Sequence, residues 1–230
     1  MTILSPVEYE VVLLSVKVAT WSVLISMPLS LATAWLLSRR QFYGHIILDG
    51  LVHLPMVIPP VVVGYVLLLL FGRQGPIGGF LSDVLGITIA FTWKGAAIAS
   101  AVMAFPLMVR AIRLSFQAID EGLEEAAATL GASPFRVFFT ITIPIISPGL
   151  IAAAILGFAR SLGEFGATIT FVSNIPGETQ TLPLALFTLI QTPGGDAAAV
   201  RLLSISVILA LGALIASEYL ARRITRQIKR

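Results

Sequence analysis

One polar stretch of an otherwise apolar chain reads Asp120-Glu121-Gly122-Leu123-Glu124-Glu125-Ala126-Ala127-Ala128-Thr129-Leu130-Gly131, then Ala132-Ser133-Pro134-Phe135-Arg136, and reaches Ile141-Thr142-Ile143-Pro144. Four of the twelve carboxylates fall within six of its residues. Leu123, Ala126 or Ala127, and Leu130 recur at helical spacing, which predicts a short helix with one apolar stripe. Because the side chains of this stripe are mostly small, a partner could approach the helix closely.

Local signals predict where this helix begins and ends. Asp120 is the expected N-cap, and the acidic first turn suits the positive end of the helix dipole. Gly131 supplies the left-handed residue that ends the helix. Ser133 is then expected to cap a second short helix, with Pro134 at its first position.

Two like-charge pairs oppose the first of these helices. Asp120 faces Glu124, and Glu121 faces Glu125, since residues four apart lie on one side of a helix; each pair costs about 0.2–0.5 kcal/mol. We therefore expect a basic surface to lie against the acidic face. A solvated acidic loop is the alternative that the pattern leaves open.

The composition predicts an all-α integral membrane protein. Hydrophobic residues make up 57% of the 230 residues, charged residues make up 12%, and the mean hydropathy is +0.95. We expect one membrane domain over residues 9–217 and a basic cytoplasmic tail over residues 218–230. Despite a net charge of +3, no nucleic-acid partner is expected, because the basic residues stand at the ends of apolar segments. The lack of cysteine in the sequence excludes disulfides and thiolate metal sites.

Five apolar segments are long enough to cross a bilayer, which takes about 20 residues. They cover residues 11–37, 46–71, 94–114, 147–172 and 200–219. The apolar segment 182–190 has only nine residues and predicts a short helix that dips back from the outer face, with Thr181 as its cap and Pro183 in its first turn. A sixth full span is the alternative for this region.

The distribution of lysine and arginine predicts the orientation of the spans. One side carries ten of these residues, and the opposite side carries three. The ten are Arg39, Arg40, Arg110, Arg113, Arg136 and the five of the tail. Since cytoplasmic loops are the basic ones, the polar stretch and the C-terminus are expected in the cytoplasm and the N-terminus outside.

The second span contains Pro55, Pro59 and Pro60, three prolines within six residues. Each lacks an N–H donor, and irregular backbone is tolerated in a membrane only where it is buried in protein or lines a water-filled cavity. The segment is expected to face the interior, either as a pliable pathway wall or as a static kink. We expect His53 to be a hydrogen-bonded interior histidine, because no cluster of metal ligands lies near it in the sequence.

The fourth span carries Arg160 and Glu164, four residues apart on one helical face. Two charges in lipid are costly unless they pair or face a cavity. Gly163 and Gly166 are expected to thin the helix and to permit tight packing. The pair predicts either a structural lock between helices or an element of a gate or translocation path.

The spacing of Glu125-Ala126-Ala127, Gly131 and Ile141-Thr142-Ile143-Pro144 resembles the signature Glu-Ala-Ala-x3-Gly-x9-Ile-x-Leu-Pro of bacterial ATP-binding-cassette importer permeases. Ile143 stands where that family has leucine. The resemblance implies the type I importer permease fold, with cytoplasmic coupling helices over residues 117–144 that dock on an ATPase. The coupling residues that it implies are Glu124, Glu125, Ala126, Ala127, Gly131, Arg136 and Pro144.

The run Ala159-Arg160-Ser161-Leu162-Gly163-Glu164-Phe165-Gly166-Ala167, followed by residues 172–179, resembles the oxyanion-importer permeases. Within that group, residues 174–178, residues 189–195 and the run from His53 to Gly64 are most similar to the molybdate permeases. This implies a pore of two copies of the chain in the bacterial inner membrane, surrounded by lipid. It also implies two ATPase subunits and a periplasmic protein that delivers molybdate, and often tungstate. The expected residues of the path or gate are Pro55, Pro59, Pro60, Arg160, Ser161, Gly163, Glu164, Thr168 and Asn174.

Some other functions remain to be weighed. The sequence lacks a Gly-x4-Gly-Lys-Ser/Thr pattern, so the chain is expected to be a pore without a nucleotide site or cofactor, and ATP and Mg²⁺ would be bound by the partner ATPase. A sulfate or thiosulfate permease is the alternative within the same class. An ion-coupled secondary transporter would usually show inverted repeats, which the sequence does not display.

Overall fold

A computed structural model describes residues 5–228, with side chains described for all of these except residues 121, 217, 218 and 220–228. Every element in this part of the chain is helical, as the composition predicts. The helices are α1 (Pro6–Arg39), α2 (His45–Val57), α3 (Pro60–Phe71), α4 (Pro76–Leu85), α5 (Trp93–Gln117), α6 (Glu121–Thr129), α7 (Pro134–Val137), a π turn (Phe138–Thr142), α8 (Ile143–Leu162), α9 (Gly166–Val172), α10 (Leu182–Ile190) and α11 (Asp196–Ile228).

The first helix is longer than the predicted segment and is fixed at its start. The Ser5 hydroxyl accepts a hydrogen bond from the backbone N–H of Glu8, and the Glu8 carboxylate accepts one from the N–H of Ser5. This reciprocal cap satisfies two N–H groups that a helix start leaves without partners. The buried Glu8 carboxylate also pairs with Arg201 at 2.8 Å, which ties α1 to α11.

Helix α5 is the centre of the bundle. It packs against α1 on one side and α8 on the other, and α11 packs against α8. Its buried seam is built from small side chains, among them Ala96, Ala97 and Ala104, so neighbouring backbones approach closely. Two apolar clusters result, one around Phe171 and Met103 and one around Met108, Ile112 and Ile146.

The predicted second span is two helices rather than one. Helices α2 and α3 meet at an angle of 112°, with the break at Ile58 and Pro59. Pro59 and Pro60 cannot donate backbone hydrogen bonds, so the helical ladder ends here and restarts. After the break, Gly64 packs so closely on α9 that a Cβ atom would stand 2.5 Å from the carbonyl oxygen of Ala167.

Replacing Gly64 by alanine is therefore expected to lower the stability of the protein by about 1–3 kcal/mol, because the new methyl group meets backbone that cannot move aside. The measurement is thermal unfolding of the purified chain in detergent. Gly50→Ala in α2 is the matched control, since nothing lies within 4 Å of the added Cβ atom there. Equal melting temperatures for the two variants would contradict the close α3–α9 contact.

The predicted short helix after Ser133 begins where expected, as α7, but it continues without a break into the π turn and α8. The prediction of an uninterrupted fourth span was wrong. Residues Pro134–Leu162 form one continuous helical rod of 29 residues, and the rod ends at Gly163. Pro144 stands directly after the π turn and Pro148 lies inside α8, and neither proline interrupts the rod. Gly163 does not thin a helix; it is the point where α8 stops before α9 begins.

Four helices are long and apolar enough to cross a membrane, and the bent α2–α3 pair makes up to five spans in residues 5–228. Helix α10 coincides with the predicted short apolar segment, although the Thr181 hydroxyl makes no capping bond. Helix α4 was not predicted at all. The backbone of the predicted basic tail continues α11 as far as Ile228, while Lys229 and Arg230 lie outside the described residues.

Candidate functional site

The polar stretch forms a compact unit at one end of the bundle, next to the C-terminal end of α1. The Asp120 carboxylate caps α6 by accepting a hydrogen bond of 3.0 Å from the N–H of Gly122. Gly131 has φ +84°, the left-handed conformation that was predicted for it. The Ser133 hydroxyl accepts a bond from the N–H of Arg136, which starts α7 as expected.

The apolar stripe of α6 is not covered by the rest of the chain. Leu123 is 50% exposed and Leu130 is 88% exposed, and Phe135 on the following turn is 75% exposed. Ala126, Arg136 and Pro144, three of the expected coupling residues, are exposed as well. An apolar helix face that is exposed at the polar end of a membrane bundle is typical of a protein-docking surface.

Two neighbouring glutamates point in different directions. The Glu124 carboxylate pairs with Arg39 at the end of α1 at 3.0 Å, and it accepts a hydrogen bond of 2.7 Å from the Thr142 hydroxyl in the π turn. Glu125 is exposed and has no ion-pair partner in the described part of the chain. The basic group expected against the acidic face is thus supplied, for Glu124, by Arg39 of this chain.

Helix α6 lies over an apolar groove of about 830 Å³ between itself, α1 and the π turn. Trp35 contributes from α1, Ala128 from α6, and Phe135 and Phe139 from the rod, whose two rings are 4.6 Å apart. The Glu124 contacts to Arg39 and Thr142 cross this groove. Movement of α6 would consequently be transmitted to α1 and to the rod through one carboxylate.

The π turn follows α7 and contacts α6. At its end the N–H of Ile143 bonds to the carbonyl oxygen of Phe138, five residues back, in place of the usual four. A π turn is a local excess of one residue in a helix and occurs frequently at functional sites. It places Thr142, which is buried, on the side that faces Glu124.

A second group of predicted residues meets inside the bundle. Arg160 and Glu164 form the expected ion pair, with Nη1 and Oε2 2.6 Å apart. The pair bridges the break after α8, rather than lying on one helix, and the other Glu164 oxygen accepts a bond of 2.9 Å from the N–H of Ala167 in α9. The Glu164 carboxylate is only 2% exposed, whereas the Arg160 side chain is 34% exposed.

Arg160 faces a cavity of about 200 Å³ at the α2–α3 break. The cavity is also lined by Pro55, Ile58, Pro60 and Met103. The structure therefore brings together the proline segment and the intramembrane arginine, two features that are about 100 residues apart in the sequence. The result is an apolar chamber with one cationic group at its wall.

The hydroxyl and amide groups predicted for a pathway have partners within the chain. The Ser161 hydroxyl is 2.7 Å from that of Ser22, and the buried Thr168 hydroxyl donates to the carbonyl oxygen of Phe165. The Asn174 side-chain N–H donates to the Thr188 hydroxyl at 2.8 Å. The Ser161 bond joins α8 to α1 and the Asn174 bond reaches α10, whereas the Thr168 bond stays within its own helical turn. The Asn174 side-chain oxygen has no hydrogen-bond partner among the described residues. A role of these groups in solvating an anion stays a prediction.

Besides the Glu8–Arg201 pair, sequence reasoning missed an ion pair that involves α2. Asp49 on α2 pairs with Arg113 on α5, which fixes the first half of the bent pair to the central helix. An aspartate next to a long apolar segment was the available signal. The Nδ1–H of His53 donates a hydrogen bond of 2.8 Å to the carbonyl oxygen of Asp49, as expected of a hydrogen-bonded histidine. No group of three or more metal-ligating side chains occurs within residues 5–228.

Comparison with known proteins identifies the family to which this chain is similar. Residues 26–226 match the model of the family described as "Binding-protein-dependent transport system inner membrane component". The chain is 60% identical, over 96% of both chains, to "Molybdenum transport system permease protein ModB" of Escherichia coli (strain K12). It is 55% identical to the protein of the same name from Haemophilus influenzae, again over 96% of both chains.

The solved structures show likeness of fold. A bacterial ABC transporter involved in the import of the acidic polysaccharide alginate superposes with a TM-score of 0.75 at 18% identity. The match covers 96% of this chain and 81% of that one. At this level of identity the comparison bears on the helical architecture alone.

Proposed function

The chain belongs to the family of binding-protein-dependent transport system inner membrane components, and on that premise we propose that it is the pore-forming permease subunit of an ATP-driven importer for molybdate. Tungstate, a dianion of the same shape and charge, is the expected second substrate. The chain supplies the membrane path and contributes no chemistry of its own. ATP and Mg²⁺ are bound by a separate ATPase subunit, present in two copies.

The proposal of an ATPase partner rests on one observation, the exposed coupling surface. It consists of the uncovered stripe of α6, with Leu123 and Leu130, together with the Glu125 carboxylate. These groups lie where Glu124 links α6 to both α1 and the rod. A subunit that grips this surface would move α6, and the Glu124 contacts would carry that movement to the spans.

The proposed orientation places α6 and the C-terminus in the cytoplasm and the N-terminus outside. The surplus of lysine and arginine at this end of the spans supports it. The contact of Arg39 with Glu124 is consistent, because it puts the basic turn after α1 beside the coupling surface. The opposite end would then receive a periplasmic binding protein that carries the anion.

The path itself is proposed to run along the interface of two copies, past the Arg160 chamber. A tetrahedral dianion is attracted by the exposed part of the Arg160 guanidinium, while the paired Glu164 keeps that attraction weak. A weak site suits transport, because an anion that is held tightly cannot leave quickly. Selection among oxyanions would fall mainly to the binding protein.

The experiment measures ATP hydrolysis in liposomes that contain this chain together with its ATPase subunit. Binding protein is added empty, or loaded with molybdate, tungstate or sulfate. We expect stimulation by the molybdate- and tungstate-loaded forms and none by the sulfate-loaded form. Stimulation by sulfate alone would keep the importer and overturn its substrate. If no ATPase subunit co-purifies and none is stimulated, the proposed coupling surface is wrong.

A further inference from the structure

A separate cavity of about 410 Å³ opens at the other end of the bundle, away from α6. One wall is the first third of α1, and the other is the loop that precedes α10. The α1 wall is largely apolar and includes Val7, Leu13 and Leu14, but it also carries Glu10 and Lys17. The proposed transport function uses neither of these charges.

Three polar groups in this cavity lack a hydrogen-bonding or ionic partner within residues 5–228. Glu10 and Lys17 are exposed and do not pair with each other or with another side-chain charge. The Lys17 ammonium lies 3.7 Å from the centre of the Trp93 ring, a contact that leaves its N–H groups free to donate. Gln180 is only 8% exposed, and its side-chain amide makes no hydrogen bond. Its side chain lines the cavity, where the amide can form a hydrogen bond with a ligand.

The order of the two charges along α1 constrains that ligand. Seven residues advance a helix by about 10 Å and return to nearly the same face, so Glu10 and Lys17 stand one above the other. Glu10 is nearer the helix start, at the membrane surface, and Lys17 is deeper, beside Trp93 and Trp21. Tryptophans of this kind mark the depth of the lipid headgroups.

A dipolar headgroup fits this arrangement. A phospholipid carries its phosphate at the boundary of the hydrocarbon and any amine farther out. Along α1, Lys17 lies at the deeper level of the phosphate and Glu10 at the outer level of the amine. An ammonium group can donate hydrogen bonds to the Glu10 carboxylate, whereas a trimethylated choline group cannot. A purely anionic lipid would set its negative charge beside Glu10 without compensation.

We propose that this cavity binds one phosphatidylethanolamine-type lipid, with its phosphate on Lys17, its ammonium group on Glu10 and its acyl chains along Leu13 and Leu14. Gln180 donates its amide N–H to the phosphate or to an ester carbonyl of the same lipid. The site requires only that the chain spans a membrane. The proposal of a lipid site can therefore fail while molybdate remains the substrate, and the reverse is also possible.

The test is native mass spectrometry of the full-length chain purified in detergent, titrated with phospholipids of identical acyl chains and different headgroups. We expect one ethanolamine lipid per chain to bind about three- to five-fold more tightly than the choline lipid. Glu10→Gln and Lys17→Gln should each remove this preference. Arg73→Gln and Asp83→Asn, which change exposed charges outside the cavity, should preserve it.

The double variant Glu10→Lys/Lys17→Glu is the sharpest control, because it keeps the net charge and reverses the dipole. It should lose the ethanolamine preference. The proposal is overturned if the reversed variant retains the preference, if the wild type binds both headgroups equally, or if it prefers an anionic glycerol lipid. Melting temperatures of all variants, measured in the same detergent, show whether a lost preference reflects the site or a general loss of structure.

Discussion

The Arg160→Ala variant is expected to lose more stability than the Gly64→Ala variant. It leaves the Glu164 carboxylate, 2% exposed, as an unpaired charge beside the break between α8 and α9. Removal of one partner from a buried pair costs about 3 kcal/mol or more. For a chain of this size that lowers the melting temperature by roughly 6–12 °C. Thermal unfolding of the purified variant in detergent measures this fall in melting temperature.

The double variant Arg160→Gln/Glu164→Gln separates stability from transport. It buries no charge, and the glutamine oxygen at position 164 can still accept the N–H of Ala167, so most of the stability should return. If Arg160 serves the path, this stable variant should transport molybdate at least tenfold more slowly than the wild type. Full transport by the double variant would leave the pair a purely structural lock between helices.

The Glu125→Gln variant is expected to keep its stability and lose its coupling. Glu125 is exposed and unpaired within the described chain, and such surface substitutions usually change stability by less than about 0.5 kcal/mol. The loss of one charge-assisted contact to the ATPase should still reduce the stimulation of ATP hydrolysis by loaded binding protein about tenfold. Liposomes with the assembled transporter provide the assay.

Glu124→Gln is the matched comparison and should differ from Glu125→Gln in its effect on stability. It weakens the contacts to Arg39 and Thr142, so its melting temperature should fall by an amount equivalent to about 1–2 kcal/mol. Its ATPase stimulation should fall as well, because these contacts are the proposed route by which movement of α6 reaches α1 and the rod. If both variants instead reduced stimulation equally and neither changed stability, the inward orientation of Glu124 would be contradicted.

The sequence predicted the parts of the fold that depend on local chemistry. Asp120, Gly131 and Ser133 act at the helix ends where capping rules place them. The membrane class followed from apolar runs long enough to span a bilayer. Helix α10 was predicted because a nine-residue apolar segment is too short to cross.

What the sequence did not predict depends on contacts between distant residues. Whether Pro144 ends a helix depends on the π turn before it, and whether Gly163 thins a helix or ends one depends on the break that Glu164 bridges. The assignment of Glu124 to the interior and Glu125 to the surface follows from the position of Arg39, some 85 residues earlier in the chain. No local pattern distinguishes two adjacent glutamates in that way.

The clasp between the first and last spanning helices has a consequence for biogenesis. The Glu8–Arg201 pair and the bond from the N–H of Leu182 to the Ser15 hydroxyl join residues 193 and 167 positions apart. A ribosome that adds about 5–20 residues per second leaves α1 without these partners for roughly 10–40 s. During that interval the Glu8 carboxylate lacks the Arg201 charge that it contacts in the folded bundle, so we expect α1 to take its final position only after α11 has been inserted.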